Sequence, residues 1–107
     1  MYLVRGIVRP EKVGFVLSEL FDAGFPQVTK MEVFGRVKQK GIKVGEVTYD
    51  ELPKEMILVV VKDEDKDDVV RIILKTAKTG DGTYGDGKVF VSPVETAYTV
   101  STGKEEL

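Results

Sequence analysis

The sequence predicts a single α+β domain in which two successive strand–helix–strand halves share one antiparallel sheet. Three observations carry this. An apolar, β-branched stretch followed by an amphipathic helix that stops at a glycine occurs twice, with Gly24 and Gly80 as the stops. The uninterrupted apolar run of residues 56–61 (MILVVV) is too short for a helix and reads as a strand buried on both faces. Finally, 107 residues, 42% of them hydrophobic, are one domain's worth of chain with enough apolar surface for one packed core.

Residues 2–9 (YLVRGIVR) partly alternate and are rich in β-branched side chains, which predicts the first strand. Pro10 suits the first turn of a helix, where its missing N–H is no loss. Val13, Val16, Leu17 and Leu20 then recur at i, i+3, i+4 and i+7 as one apolar stripe. Residues 28–34 (VTKMEVF) alternate again and predict a second strand. Residues 35–53 (GRVKQKGIKVGEVTYDELP) hold three glycines, four Lys or Arg and no sustained apolar period, which predicts a long exposed loop. Loops of that length inside compact domains tend to be functional or disordered. After the strand at 56–61, the acidic cluster at 62–68 (KDEDKDD) favours the positive end of a helix, with Arg71, Lys75 and Lys78 toward its negative end. Val69, Val70, Ile73, Leu74 and Ala77 supply its buried face, and residues 89–91 and 97–100 read as short final strands separated by Ser92-Pro93. This order fits a ferredoxin-like arrangement, with both helices on one face of the sheet. Apolar residues on the opposite face then lack cover within the chain, and association of copies is the simplest cover.

Composition removes much chemistry. Cysteine and histidine are absent, so disulfides, thiol nucleophiles, thiolate or imidazole metal sites and a histidine general base are excluded. With 18 acids against 16 bases, the net charge of −2 argues against non-specific nucleic-acid binding. No apolar run approaches the ~20 residues that span a bilayer, and Arg5 and Arg9 interrupt the N-terminal apolar stretch where a signal peptide would need continuity. A cytoplasmic protein without a membrane partner is expected.

Residues 79–88 (TGDGTYGDGK) are the second informative stretch. Gly80, Gly82, Gly85 and Gly87 let the backbone approach a ligand and present N–H donors to an anion, and Lys88 adds positive charge. Gly82-x-x-x-x-Gly87-Lys88 almost matches a P-loop, but Val89 stands where a Ser or Thr would hold Mg²⁺, and a strand follows where a helix should begin. A phosphate cradle of another kind and a plain helix-to-strand turn both remain open.

Gln39-Lys40-Gly41, Leu52-Pro53-Lys54 and Thr79-Gly80 with Gly85-Asp86-Gly87-Lys88-Val89-Phe90-Val91 resemble the PII signal-transduction family over essentially the whole chain. Val33-Phe34-Gly35-Arg36, Lys38 through Gly45, Tyr49 through Met56 and Phe90 through Glu95 look more narrowly like its nitrogenase-associated, NifI-type branch, and the short C-terminal tail suits the first of two paralogues. The resemblance implies a homotrimer with nucleotide sites between neighbours, residues 35–53 as the T-loop that reaches a target and residues 79–88 as the B-loop around phosphates. Ile7, Thr29 and Val60 would line an adenine pocket. Gly35, Arg36, Lys38, Gly85, Asp86, Gly87 and Lys88 would complete the ATP or ADP site. Gln39, Lys40, Gly41 and Lys54 would bind 2-oxoglutarate, with Gln39 coordinating a bridging Mg²⁺. The chain departs from the family pattern at Thr99 and Ser101, where an Arg-x-Arg pair is usual, at Val37, where glycine is usual, and in two extra residues within 81–84.

The function so implied is that of a regulator and not an enzyme. It senses ATP or ADP and 2-oxoglutarate and inhibits the dinitrogenase component of nitrogenase through the T-loop, alongside a second NifI-type paralogue. The alternatives are a general PII regulator of an ammonium transporter or glutamine synthetase and, in another class, a weak nucleotide hydrolase.

Overall fold

The computed structural model describes residues 1–38 and 49–107. Four strands, β1 (Tyr2–Val8), β2 (Thr29–Lys38), β3 (Tyr49–Val61) and β4 (Gly87–Pro93), form one sheet in the order β2-β3-β1-β4, with every neighbouring pair antiparallel. Helices α1 (Pro10–Asp22) and α2 (Lys66–Ala77) lie on one face, α2 being preceded by a 3₁₀ turn at Asp63–Asp65. This is the predicted double βαβ fold.

The strand alternation divides β1 and β3 cleanly. Val4 and Val8 of β1 and Ile57, Val59 and Val61 of β3 are buried against Val16 and Leu20 of α1 and Val69, Ile73 and Ala77 of α2. Gly6 lies in the same layer, where an added Cβ would come within 3.2 Å of Ile57 and 3.3 Å of Ile73. The first helix ends as its sequence predicts. Gly24 takes φ +94°, and the Phe25 N–H reaches back to the Leu20 carbonyl at 2.8 Å, satisfying a carbonyl the helix end would otherwise orphan. The opposite sheet face carries Leu3, Ile7, Met31, Leu58, Val60 and Phe90 by register, with no helix over it among the described residues.

Three expectations need correction. Residues 35–38 and 49–53, expected to belong to a loop over 35–53, are strand: β2 continues to Lys38 and β3 starts at Tyr49 in register with it. The polar alternation of that stem lets opposite charges face each other across the ladder, as Arg36 and Glu51 do at 3.7 Å. The final strand expected at 97–100 is instead part of a local turn. Tyr98 makes an isolated bridge to Glu105 and Gly103 takes φ +68°, so the segment folds on itself and not against the sheet. In α2, Leu74 is 55% exposed and Thr76 is buried in its place. Thr76 tolerates burial because its hydroxyl donates to the Ile72 carbonyl at 2.7 Å.

This phase of α2 is testable. Ile73→Ala should destabilise the fold by about 2–5 kcal/mol through loss of packing and the cavity left behind. Leu74→Ala should change it by less than about 0.5–1 kcal/mol. Denaturant unfolding of the two variants checks the order; equal losses would place Leu74 in the core.

Candidate functional site

Residues 79–87 connect α2 to β4, and the position of this connection is dictated by a close approach. Gly87, at φ +121°, pairs with Val8 at the end of β1, and a Cβ there would stand 1.8 Å from the Ile7 carbonyl oxygen. Only glycine lets the backbone pass so near. From that fixed point the loop folds around one carboxylate. Asp86 Oδ2 accepts from the backbone N–H of Thr79 at 3.0 Å and of Thr83 at 2.8 Å, while Oδ1 accepts from Arg9 Nε at 3.1 Å. The Thr79 amide, joined by that of Thr83 and by the Arg9 guanidinium, outweighs partial burial and holds the Asp86 carboxyl well below the usual carboxylate range. Thr83 also donates its hydroxyl to the Thr79 carbonyl at 3.2 Å, so the residues that lengthen the loop are spent on closing it.

Two cations hold the loop from the strand side. Arg9 Nη2 donates to the Tyr84 carbonyl at 2.9 Å, and Lys54 Nζ donates to the Gly85 carbonyl at 2.6 Å. Lys54 is only 7% exposed. Burial, and then the nearby Arg9 charge, push its ammonium below the ordinary lysine range, with Glu11 and Asp86 pulling the other way. Because a trans peptide points its C=O and N–H in opposite directions, the Tyr84 carbonyl on Arg9 aims the Gly85 N–H away from it. That N–H has no partner among the described residues. Behind the loop, on the helix side, lies a cavity of about 410 Å³ floored by Val8, Ile73, Ala77 and Val89.

The sequence-predicted site residues fall into three groups. Ile7, Lys54, Gly85, Asp86, Gly87 and Lys88 gather at one end of the sheet, with Ile7 directly opposite Lys88 in register. Gly35 adjoins them, since a Cβ on it would lie 3.6 Å from Lys54 Cγ, and Arg36 follows on the exposed stem with Glu51. Thr29 and Val60 stand apart. Val60 is four residues along β3 from Met56, the partner of Ile7, which is roughly 13 Å at the strand rise. Gln39, Lys40, Gly41 and the side chain of Lys38 lie outside the described residues. Arg9 and Glu11 were missing from the predicted set. Arg9 meets Asp86 across 77 positions, which no local motif signals.

The arrangement can receive an anion. It offers Gly85 N–H, a glycine-lined backbone and the nearby Lys88, with Lys54 and Arg9 supplying positive charge from beneath. Among the described residues no group of three or more Asp or Glu side chains could hold a metal ion.

The family model "Nitrogen regulatory protein P-II" matches residues 1–104. The chain is 53% identical over 107 residues to the nitrogen fixation nifHD region GlnB-like protein 1 of Methanothermobacter marburgensis, covering all of both chains. It is 50% identical over 107 residues to the nifHD1 region GlnB-like protein 1 of Methanosarcina barkeri, again over both full lengths. Against the nitrogen regulatory protein P-II 2 of Methanothermobacter thermautotrophicus it is 44% identical over 105 residues, 94% of this chain and 90% of the relative.

The depressed Asp86 value fixes the sign of a pH effect. Its contribution to stability is fully present above the unfolded pKa of about 3.9 and drains away as pH falls from there toward the lower folded value. Asp86→Asn should therefore flatten the acid limb of a stability–pH curve measured by urea unfolding; an unchanged limb would show that the carboxylate is not held as described. Gly87→Ala should lose more than about 2 kcal/mol, through backbone clash and strained φ. Gly82→Ala, with open space around its Cβ, should lose only the strain.

Proposed function

The chain belongs to the nitrogen regulatory protein P-II family, and on that premise we propose that it is a nitrogen-status sensor acting on nitrogen fixation. ATP or ADP binds at residues 79–88, with the phosphates on the Gly85–Lys88 backbone and on Lys88. The adenine sits between Ile7 of one copy and Thr29 and Val60 of another in a homotrimer. The dicarboxylate 2-oxoglutarate binds beside the phosphates at Lys54 with Gln39, Lys40 and Gly41, and Mg²⁺ bridges the two ligands through Gln39. Occupancy reshapes residues 35–53, which dock on the dinitrogenase component. The ligand-poor form inhibits it and 2-oxoglutarate relieves the inhibition, in concert with a second NifI-type paralogue. The nitrogen fixation region that names the full-length relatives supports this setting. Among the described residues no helix is long and apolar enough to cross a membrane, and a cytoplasmic place suits these partners.

One observation carries the reading: the buried Lys54 ammonium lies against the glycine loop and beside Gly35 at the base of the 35–53 segment. A carboxylate replacing the Gly85 carbonyl as its acceptor exchanges a neutral partner for a charged one. Charge-assisted hydrogen bonds are roughly twice as strong as neutral ones. Arg9, Asp86 and Lys54 are thereby joined in one electrostatic unit that a ligand perturbs at a single point. An effector shifts the target complex only through its differential affinity for the two segment states.

Lys54→Ala should keep the fold by circular dichroism and lose 2-oxoglutarate binding by calorimetry in the presence of MgATP. Undiminished effector binding in that variant would overturn the assignment. Capture of an ammonium transporter or glutamine synthetase in place of dinitrogenase from nitrogen-fixing cells would favour a general P-II role.

A further inference from the structure

We propose that Arg9 is a positioning residue for phosphate recognition: acting through Asp86, it sets the loop conformation that presents the Gly85 amide, and so sets nucleotide affinity without touching the phosphates. The inference rests on the nucleotide-site reading above and adds to it the residue that organises the site. A carboxylate inside an anion site is a contradiction unless its charge is engaged elsewhere. Asp86 meets that condition, because both oxygens are taken by Thr79 N, Thr83 N and Arg9 Nε. Its role in the cradle is to be a strut and not a ligand.

Arg9 in turn commits two of its five N–H donors to the loop. Nε goes to Asp86 and Nη2 to the Tyr84 carbonyl, and the guanidinium lies so close to Gly85 that a Cβ there would be 3.2 Å from Nη2. Turning either of those donors to a phosphate would release the loop segment it holds. The forked geometry matters as well, since a lysine ammonium in this place is a point charge that cannot span a carboxylate and a carbonyl with planar donors. Packing does not substitute for these bonds. On the helix side the loop faces the 410 Å³ cavity, and Thr83 and Tyr84 are exposed. Arg9 itself is well placed to act as a fixed post. It follows Val8, which is buried and paired to Gly87, and precedes Pro10 at the start of α1.

The test uses the full-length protein as Arg9→Ala, Arg9→Lys, Asp86→Ala and the Arg9→Ala/Asp86→Ala double variant. ATP and ADP affinities come from calorimetry, and hydrogen exchange at the Thr79 and Thr83 amides is read without nucleotide. Each alanine variant should weaken ATP and ADP by a similar factor, about tenfold or more, the value of a charge-assisted hydrogen bond. The double variant should lose little beyond the worse single one. The two amides should exchange faster in Arg9→Ala, and Arg9→Lys should recover part of both effects. A direct phosphate contact predicts instead a larger loss for ATP than for ADP in Arg9→Ala, and tighter binding in Asp86→Ala because a negative charge has gone. Either result overturns the proposal, as does unchanged amide exchange in Arg9→Ala. Wild-type protein that binds neither nucleotide overturns the nucleotide-site reading and the link to affinity with it. The exchange arm tells the two failures apart, because it reads the strut with no ligand present.

Discussion

A negative charge has to be accommodated in the glycine loop between α2 and β4, and the geometry of one end of the molecule follows from how this is done. Asp86 is placed there because Gly87, the next residue, must pass within van der Waals distance of β1, and no other residue type can follow that path. The carboxylate is then satisfied from two directions, by amides of its own loop and by Arg9 from the strand end. Once those bonds are made, the backbone orientation of the next two residues upstream is no longer free. The carbonyls of Tyr84 and Gly85 face Arg9 and the buried Lys54, and planarity of the peptide sends the Gly85 N–H the other way. A donor exposed to incoming anions is thus the by-product of settling an internal charge.

Lys54 couples this loop to the rest of the sheet. It lies opposite Val33 in the β2–β3 ladder, two positions before the stem passes Gly35, and its tip is against Gly85. A side chain buried to this extent cannot change acceptor without a neighbour changing too, since a buried ammonium left without one is costly. The stem and the loop therefore share a single cation. Whatever alters its acceptor is felt at residues 79–87 and at the base of residues 35–53 together. Such sharing would give the proposed linkage between ligand and segment a material basis, with no need for a long chain of intermediates.

The parts of this arrangement differ in how plainly they were written in the chain. Strands and helices were legible because β1 partly alternates, residues 56–61 of β3 form an apolar run too short for a helix, and the helices carry a period of 3.6, while Gly24 marks its stop by a conformation few residues adopt. The phase of α2 was misjudged by one flank. Hydrophobicity alone chose Leu74, while Thr76 enters the core by satisfying its hydroxyl within the helix. The ladder between 35–38 and 49–53 escaped because Gly35, Pro53 and the charged residues between them give it the composition of a loop. In the site, the glycines and Lys88 announce themselves as a run, and Lys54 enters through its motif. The bond of Arg9 to Asp86 could not be read: it arises only when the end of β1 is laid against the end of α2, and one arginine among 16 bases carries no mark of that.

The same topology explains why the predicted adenine residues do not assemble in one copy. Ile7 lies beside the loop, at the end of β1 where Gly87 enters β4, whereas Val60 pairs with Leu3 near the opposite end and Thr29 begins β2 opposite Leu58, with β3 between it and β1. These positions share a face but not a pocket, and a flat base in contact with all three would have to span most of the sheet. Met31, Leu58 and Phe90 lie on that face as well, with no helix above them. In the proposed homotrimer a neighbouring copy would cover the apolar residues and bring its own Thr29 and Val60 to the first copy's Ile7. On that reading burial of the face and completion of the pocket are one event, and nucleotide affinity and association of copies would rise and fall together.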